Sequence, residues 1–396
     1  MKTNILRNFP RWIGGILIFF GVAACNDMGY NVIDNAVYIS EATDNMLQKV
    51  IVDETGGKAS VSVRTNQKAA QDIMAVVELD AVLLDNYNNK MGTAYEILPA
   101  QYYELSNKEV TIASGTASAN SIGIRINPLP EEITSSGKKY AIPVSIKEVS
   151  EGMTVLGSGK GVIYVLDQVI VTSAPKVNRT NQIHYTFLED PVFETWSVEM
   201  FVNMSNLGNG SPGNSNNQCI FNAKASPDAG SNTTIFVRFG DAMIPGNKLQ
   251  IKLCGNVAYE SNITFNVNEW YHLALVYDGS KFRVYVDGQL DKESDANYGA
   301  FMFDKDQVFS INGTYFRANM KIREVRMWDK PISQIQVKDN MYTVNPKSEG
   351  LRAYWKMDEG SGNVIHDYTG NGNDGTIDGS PVWLDNVRSD QKSDNR

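Results

Sequence analysis

The stretch Trp270–Gln289 reads WYHLALVYDGSKFRVYVDGQ, and it decides the fold of the chain around it. Apolar residues alternate with a period of two on both sides of Asp278-Gly279, and the second run closes on Asp287-Gly288. Alternation of this kind, bounded by Asp-Gly, predicts a β-hairpin. We expect this hairpin to form the spine of a β-sandwich onto which the rest of the C-terminal half packs.

The composition indicates an all-β protein with two domains. The chain has 396 residues, more than one ordinary sandwich contains, and 42% of them are hydrophobic, which is enough for real cores. Its 32 glycines are typical of turn-rich β proteins. If residues 1–25 are removed as a signal peptide, Lys2, Arg7 and Arg11 are lost with them. The mature chain then has 33 basic and 45 acidic residues, a net charge of −12. Because this charge repels nucleic acid, we expect no nucleic-acid partner.

Residues 1–25 have the pattern of an export signal peptide. Basic residues precede an apolar run that ends at Ala24 and is shorter than the roughly 20 apolar residues of a membrane span. Val22-Ala23-Ala24-Cys25 resembles a bacterial lipobox, whose cysteine is lipidated; the alternative is an ordinary secretory signal with a chance cysteine. We expect Cys25 to anchor the protein by lipid to the outer membrane, at the cell surface or on the periplasmic side.

Residues 26–170 predict an immunoglobulin-like (Ig-like) β-sandwich after a short polar tether, with Asp80–Tyr103 as the place for helical or irregular structure. The Val37–Ile39 strand, Ser121–Pro128 and the Lys139–Val144 run resemble the uncharacterised N-terminal domain of Bacteroidetes surface lipoproteins. That resemblance implies no known chemistry. The strand-like runs are Ala36–Ser40, Ala59–Arg64, Ile73–Leu79, Glu109–Ile112, Ser121–Ile126, Tyr140–Val149 and Gly161–Leu166.

Three segments of the C-terminal half stand out by their order and spacing: Glu269–Gln289, Ile322–Ser333 and Gly350–Gly375. Together they resemble the laminin G and concanavalin A-like lectin superfamily. The implied fold is a jelly-roll sandwich of two antiparallel sheets. Too few residues follow Gly350 for a further sandwich, so the C-terminal segment should complete this one. The predicted fold class is therefore all-β, an Ig-like sandwich followed by a concanavalin A-like jelly roll.

The predicted boundaries of this second domain follow from composition. A polar, proline-containing stretch at 171–180 is expected to be a linker, residues 181–386 the jelly roll, and residues 387–396 a disordered tail. Within the domain, Ser333 and Gln336 have capping-box spacing, with Ile332 and Val337 as a hydrophobic staple. A short helix is therefore predicted to run to about Met341.

The loop Asp367–Asp378 has the ligand spacing of a calcium site. Side-chain oxygens occur at positions 1, 3, 5, 7 and 12, with Gly372 at position 6. Position 12 is Asp instead of Glu and the flanks predict strands, so a tight turn held by side-chain to backbone hydrogen bonds is the alternative. Many laminin G-like modules bind calcium, which makes calcium a possible cofactor, and none is required. The candidate ligands are Asp367, Thr369, Asn371, Asn373 and Asp378.

The aromatic residues divide into core and candidate ligand contacts. The mature tryptophans lie in or near strand patterns and are predicted to be core: Trp196, Trp270, Trp328, Trp355 and Trp383. Other aromatics lie in loop-like stretches, with Arg317 beside them as a polar group. The candidate ligand-binding residues are Tyr298, Phe301, Phe303, Tyr315, Phe316 and Arg317.

No catalytic motif stands out. The three histidines are scattered without metal-ligand spacing, and no Gly-X-Ser-X-Gly elbow or phosphate-binding Gly-Lys-Ser/Thr loop is present. Carboxylates are plentiful, so a divergent glycosidase stays open as a minor alternative.

The sequence therefore predicts a non-catalytic, lipid-anchored protein whose partner is a polysaccharide or a glycoprotein glycan. The ligand would bind on one sheet or its rim through aromatic faces and hydrogen bonds. Outer-membrane importers and enzymes that use the polysaccharide are the expected neighbours, with the N-terminal sandwich as a spacer and docking module. An adhesin that recognises protein is the alternative, because the fold alone does not choose between them.

Overall fold

The computed structural model describes residues 35–134, 136–208, 217–226, 234–305 and 316–393, which form two successive β-sandwiches. The N-terminal strands are β1 (Ala36–Ile39), β2 (Leu47–Val52), β3 (Gly57–Val61), β4 (Val63–Thr65), β5 (Ile73–Leu79), β6 (Glu96–Ile97), β7 (Tyr103–Leu105), β8 (Glu109–Ile112), β9 (Ile122–Ile126), β10 (Tyr140–Val149), β11 (Thr154–Val155) and β12 (Gly161–Gln168). The sheet β2-β12-β10-β5-β8, with β6 beside β10, packs with the sheets β11-β1-β4 and β3-β9-β7 around one apolar core.

The helical prediction for Asp80–Tyr103 is confirmed by α1 (Ala81–Met91). Asp80 begins the helix, because its carboxylate accepts a hydrogen bond from the Leu83 N–H. Gly92 ends it in the left-handed conformation. A second helix, α2, spans Glu131–Thr134, and short 3₁₀ turns lie at Ser40–Ala42, Ala100–Tyr102 and Gly157–Gly159.

The C-terminal sandwich contains two large sheets, as the predicted jelly roll requires, and a small third sheet that was not predicted. Its strands are β13 (Val171–Val177), β14 (Ile183–Tyr185), β15 (Val192–Phe193), β16 (Trp196–Met204), β17 (Gln218–Ser226), β18 (Thr234–Asp241), β19 (Ile244–Leu253), β20 (Asn256–Glu260), β21 (Trp270–Tyr277), β22 (Lys281–Val286), β23 (Gln289–Asp295), β24 (Phe301–Phe303), β25 (Met320–Trp328), β26 (Leu351–Trp355), β27 (Val364–Ile365), β28 (Gly375–Ile377) and β29 (Val382–Arg388).

An eight-stranded sheet has the order β23-β22-β21-β16-β25-β13-β29, with β26 also paired to β25. It faces a six-stranded sheet of order β15-β24-β17-β18-β19-β20, and β14-β28-β27 form a small third sheet. The two large sheets share one apolar core. The all-β fold class of two sandwiches is confirmed.

The hairpin that opened the sequence is β21–β22, and it lies within the eight-stranded sheet. Its turn is held by Asp278, whose Oδ1 accepts hydrogen bonds from the N–H groups of Ser280 and Lys281. Asp287 and Gly288, which connect β22 to β23, both have positive φ, as a type I′ turn requires. The predicted hairpin is therefore confirmed, and its pairing with β23 extends it to a three-stranded meander that the sequence analysis did not predict.

Two boundary predictions are wrong. The stretch predicted as a linker at 171–180 contains β13, which pairs with β29 and β25 in the eight-stranded sheet. The predicted tail from 387 begins inside β29, where Val387 is buried, and the Lys392 carbonyl accepts a hydrogen bond from the Trp270 N–H. Both segments contain polar residues and the first contains a proline, but backbone pairing with neighbouring strands incorporates them into the sheet.

The short helix after β25 is confirmed as α3 (Gln334–Asp339), and it ends two residues before the predicted Met341. Both hydrogen bonds of the Ser333–Gln336 capping box are present. The staple residues Ile332 and Val337 are both buried in one apolar cluster.

The two sandwiches belong to one compact unit and contact each other directly. The Tyr95 hydroxyl donates to Asp339 at 2.5 Å, and a Cβ at Gly137 would lie only 2.6 Å from the Val344 carbonyl oxygen. Burial raises the pKa of Asp339 above its ordinary value, although the hydrogen bond from Tyr95 opposes that shift. In the part of the chain that the structure describes, no helix combines the length and apolar character needed to cross a membrane.

Candidate functional site

The outer face of the eight-stranded sheet, here called the eight-stranded face, is covered by the protein itself. Ala274 and Val276 of β21 project onto this face, away from the core residues Leu273 and Leu275. They are buried in a cluster with Ile332 and with two further residues of the segment that carries α3, Val337 and Val344. Since β21 is therefore buried on both faces, this side of the sheet is scaffold.

A network of buried charges lies on the same face. Glu199 of β16 and Arg326 of β25 are opposite each other in register, with 3.6 Å between Oε2 and Nη1, and both are fully buried. Trp328 Nε1 donates to the same Glu199 oxygen at 2.8 Å. Arg326 Nη1 also donates to the Asn340 carbonyl at 2.6 Å, which ties the end of α3 to the sheet. Glu199 Oε1 lies 3.5 Å from His272 Nε2, and neither Glu199 Oε1 nor Arg326 Nε has a hydrogen-bond partner among the described residues. Because the two opposite charges are paired with each other and fully buried, their role is structural.

Burial favours a raised pKa for Glu199, but the positive charge of Arg326, with further contributions from His272 and Trp328, holds it below the ordinary value. The carboxylate is therefore ionised at neutral pH. A buried carboxylate stabilised in this way is poorly suited to donate a proton.

The outer face of the six-stranded sheet, here called the six-stranded face, carries a different set of groups. In β18, Ile235, Val237 and Phe239 point into the core, so Phe236 and Arg238 project outward. Register places Cys219, Arg238, Gln250 and Glu260 in one row across the sheet. The next row contains Asn222, Phe236, Lys252 and Val257.

Arg238 is held in a fixed position on this face. Its Nε and Nη2 donate to Gln250 Oε1 at 3.1 and 2.6 Å, and Nη1 donates to Asn217 Oδ1 at 3.3 Å. Asp241 forms an ion pair with it, and the guanidinium carbon lies 5.3 Å from the centre of the Phe236 ring. Burial lowers the pKa of Arg238, an effect that Asp241 opposes, and the guanidinium stays charged. Arg238 is itself buried, at 6% exposure, so its guanidinium fixes the position of the half-buried Phe236 ring, which is the accessible member of the pair.

Further polar groups lie beside the Phe236 ring, and they differ in exposure. Asn222 Oδ1 is buried and accepts no hydrogen bond from the described residues. Phe236 and Lys252 are half-buried, and Glu260 and Val257 are exposed at the edge strand. An aromatic ring flanked by amide, ammonium and carboxylate groups matches a ligand that has both apolar faces and hydroxyl groups.

Three of the aromatic ligand contacts predicted from sequence are wrong. Phe301, Phe303 and Phe316 are 0%, 0% and 1% exposed and belong to the core. Phe301 packs edge-on against Trp196 at 5.6 Å between ring centres. The stretch 301–303 forms strand β24, whose alternation turns both phenylalanines inward. Loop-like sequence context did not indicate the direction of these side chains.

The other predicted contacts have different positions. Tyr298 is half-buried against the core, and its N–H donates to the Tyr277 hydroxyl at 3.0 Å. Arg317 is exposed, and its N–H donates to Gln218 Oε1 at 2.9 Å. Tyr315 lies outside the described residues. No described contact joins Tyr298 or Arg317 to Arg238 or Gln250.

The core assignment of the tryptophans is confirmed for four of them. Trp196, Trp270, Trp328 and Trp355 are buried, and the fifth, Trp383, is half-buried against the main core. Cys25, the predicted lipidation site, lies outside the described residues.

The predicted calcium loop forms a hydrogen-bonded turn. Both carboxylate oxygens of Asp367 accept hydrogen bonds from Thr369 Oγ1, and they also accept from the N–H groups of Tyr354, Thr369 and Asn373. The amide groups of Asn371 and Asn373 donate to the Arg352 carbonyl. This geometry is the alternative that the sequence left open, a tight turn held by side-chain to backbone hydrogen bonds. Both carboxylate oxygens of Asp367 are occupied by hydrogen bonds.

The last predicted calcium ligand, Asp378, is directed elsewhere. Its Oδ2 lies 3.0 Å from His184 Nε2 on the neighbouring strand β14, at the protein surface. Within the described ranges, no group of three or more His, Cys, Asp and Glu side chains is arranged to hold a metal ion.

Sequence reasoning missed the residues of the six-stranded face. Their signal was available in the alternation of Thr234–Asp241, which separates Phe236 and Arg238 from the apolar positions. Alternation assigns residues to two faces, but it does not show that the protein covers one large sheet and leaves groups on the other partly accessible.

Comparisons with known proteins agree with the two-domain organisation. A family model for an N-terminal domain matches residues 33–153. The model described as the concanavalin A-like lectin/glucanases superfamily matches residues 180–338. No curated protein matches the chain.

Among solved structures, a protein from Bacteroides ovatus ATCC 8483 that is proposed to bind carbohydrate is 25% identical. The match has a TM-score of 0.54 and covers 91% of this chain and 100% of that chain. A SAP-like pentraxin from Limulus polyphemus is 13% identical, covers 52% of this chain and 94% of that one, and has a TM-score of 0.31. EndoBT-3987 from Bacteroides thetaiotamicron is 23% identical, covers 33% and 30%, and has a TM-score of 0.26.

Proposed function

Because residues 180–338 form a concanavalin A-like domain, we propose that this chain is a non-catalytic glycan-binding protein with the six-stranded face as its ligand surface. The observation that carries the proposal is the half-buried Phe236 ring, held 5.3 Å from the buried Arg238 guanidinium, on a sheet face that also presents Lys252 and Glu260. The similar protein from Bacteroides ovatus is itself proposed to bind carbohydrate, which supports the same class of ligand.

The chemistry of this face suits a sugar. A pyranose ring presents C–H groups on its faces, which pack against an aromatic ring, and hydroxyl groups around its rim. The half-buried Lys252 would donate to hydroxyl or ring oxygens of the sugar, and the exposed Glu260 would accept from its hydroxyl groups.

The positions of the carboxylates on the six-stranded face favour binding without catalysis. Glycoside hydrolysis requires two carboxyl groups placed on either side of the scissile bond. Asp241, the carboxylate beside Arg238, is an ion-pair partner of its guanidinium. Glu260 is exposed at the edge strand. A divergent glycosidase would release products from labelled polysaccharide, which this proposal predicts will not occur.

In the cell, the protein would be lipid-anchored through Cys25 to the outer membrane and would capture polysaccharide for neighbouring enzymes and importers. The support is the signal-peptide and lipobox pattern of residues 1–25. The N-terminal sandwich would hold the lectin-like domain away from the membrane. Metabolic labelling with a palmitate analogue tests the anchor, and Cys25→Ala should abolish the label.

The binding proposal is tested with the purified protein lacking residues 1–25 on a panel of plant, microbial and host glycans. We expect at least one polysaccharide to bind and Phe236→Ala to weaken it about tenfold or more, which corresponds to ~1.4 kcal/mol. The control is Tyr103→Ala, which removes a half-buried aromatic of the N-terminal sandwich and should leave affinity unchanged. Absence of binding across the panel would reject the proposal.

If the chain instead recognises another protein, a pull-down from outer-membrane extracts should give a different result. A protein captured from outer-membrane extracts, and not displaced by any glycan of the panel, would identify an adhesin or assembly role. Displacement by a glycan would instead identify the captured protein as a glycoprotein ligand.

A further inference from the structure

A pocket of about 370 Å³, here called the junction pocket, lies where the two sandwiches meet. Its N-terminal wall includes Tyr95 and Lys139, and its C-terminal wall includes Lys330, Asp339 and Asn340. Small-molecule sites occur preferentially at domain interfaces and have volumes of this order. None of the described residues that line the pocket belongs to the six-stranded face. A ligand here would therefore be additional to the one proposed above.

Close packing fixes the two walls of the junction pocket relative to each other. At Gly137, where φ is 68°, a Cβ would lie 2.6 Å from the Val344 carbonyl oxygen and 2.7 Å from the Asn345 Cα, so only glycine fits this approach. Tyr95 is held by Asn88, whose side-chain amide forms two hydrogen bonds with the Tyr95 backbone, at 2.9 and 3.1 Å. A ligand that enters the pocket would meet groups already in place.

Lys139 contributes a positive charge to the N-terminal wall. It is half-buried, and its ammonium has no hydrogen-bond or ion-pair partner among the described residues. Burial lowers the pKa of Lys139, although the negative charges of Asp167 and Asp339 act in the opposite direction. Lys138 differs, because it is paired with Glu96 at 2.9 Å. Since a half-buried cation without a partner is costly, an anionic group of a ligand would stabilise Lys139.

Asp339 contributes a hydrogen-bond acceptor to the C-terminal wall. Its Oδ2 accepts from the Tyr95 hydroxyl at 2.5 Å, whereas its Oδ1 accepts from no described donor. The side-chain amide of Asn340 also has no partner among the described residues. Of the other charged side chains that line the pocket, Lys330 is half-buried and Glu349 is exposed, so their charges offset each other. The pocket therefore presents one unpaired cation and separate groups for hydroxyls.

We propose that the junction pocket binds an acidic monosaccharide unit of the uronic acid class. The carboxylate of the sugar would pair with the Lys139 ammonium, while its hydroxyl groups would donate to Asp339 Oδ1 and accept from the Asn340 amide. A neutral sugar would leave Lys139 unpaired, and an inorganic anion would bring charge without the ring of hydroxyl groups. Because both sandwiches form the pocket, the bound sugar should also stabilise the folded protein.

The test is calorimetric titration of the purified protein lacking residues 1–25 with D-glucuronate, D-galacturonate, glucose, galactose and inorganic phosphate. We expect at least one uronate to bind at least about tenfold more tightly than its neutral counterpart and than phosphate, and to raise the melting temperature. Lys139→Gln should weaken uronate binding about tenfold or more, and Asp339→Asn should weaken it several-fold. The two substitutions lie on opposite walls, so whichever variant circular dichroism shows to be folded decides the test.

The matched control is Lys108→Gln, an exposed lysine directly before β8, which should leave uronate affinity unchanged. Equal binding of phosphate or of the neutral sugars, or uronate binding that survives Lys139→Gln, would overturn the inference. Uronate binding that is lost in Phe236→Ala and kept in Lys139→Gln would assign the sugar to the six-stranded face instead. Absence of binding by all five probes would overturn this inference alone, because the glycan panel tests the proposed function separately.

Discussion

The two large sheets of the C-terminal sandwich differ in what lies on their outer faces. On the eight-stranded face, Glu199 and Arg326 are fully buried beneath the segment that carries α3. On the six-stranded face, Phe236 and Lys252 are half-buried beside a fixed arginine. Both sheets place polar groups outside a shared core, but on the first face the outward ion pair is 0% exposed beneath described chain, whereas Phe236 and Lys252 on the second keep part of their surface accessible. The same alternation therefore produces scaffold on one side and a candidate ligand surface on the other.

The strongest test of this difference is Arg326→Ala. Removing the guanidinium leaves the Glu199 carboxylate buried without its countercharge, so we expect unfolding free energy to fall by about 3–5 kcal/mol. Lys252→Gln on the six-stranded face is the control and should change it by no more than about 0.5 kcal/mol. Urea unfolding followed by tryptophan fluorescence measures both. Equally small losses of unfolding free energy for the two variants would show that the eight-stranded face is no more important for stability than the six-stranded face.

An intermediate effect is expected from Asp367→Ala. Its carboxylate accepts hydrogen bonds from Tyr354 of the eight-stranded sheet and from Thr369 and Asn373, so truncation should cost about 1–3 kcal/mol. Asp378→Asn, at the surface, should cost far less. Calcium should not raise the melting temperature of the parent protein in a thermal-shift assay. A calcium-dependent rise that Asp367→Ala abolishes would restore the cation site.

The smallest expected effect is a pH dependence assigned to Glu199. Its folded-state pKa lies below the ordinary value of 4.5, so its ionisation contributes stability above pH 4.5 that is lost as pH falls toward the folded-state value. Glu199→Gln should therefore be less stable than the parent at neutral pH, and the gap should narrow below pH 4.5. Denaturation midpoints measured from neutral to acidic pH check this. A gap that stays constant with pH would show that the carboxylate does not titrate as its surroundings require.

Local patterns predicted those parts of the molecule that depend on near neighbours in the chain. The Ser333–Gln336 capping box marked α3 because both of its hydrogen bonds close within one helical turn. The Asp287-Gly288 dipeptide marked a turn because the backbone there needs positive φ. The predictions for 171–180 and for Phe301 failed because strand pairing with distant segments determined the outcome.

The sequence by itself determined the all-β class, the two sandwiches, the central hairpin and the short capped helix, since period-two alternation, turn residues and caps act over a few residues. Only the tertiary structure decided which of two alternating faces would be covered. Glu199 of β16 and Arg238 of β18 both project from outer faces of the sandwich, yet the first is sealed beneath α3 and its flanking segment and the second borders accessible groups. The physical reason is that burial depends on which distant segment packs over a sheet, and no period within a strand encodes that contact.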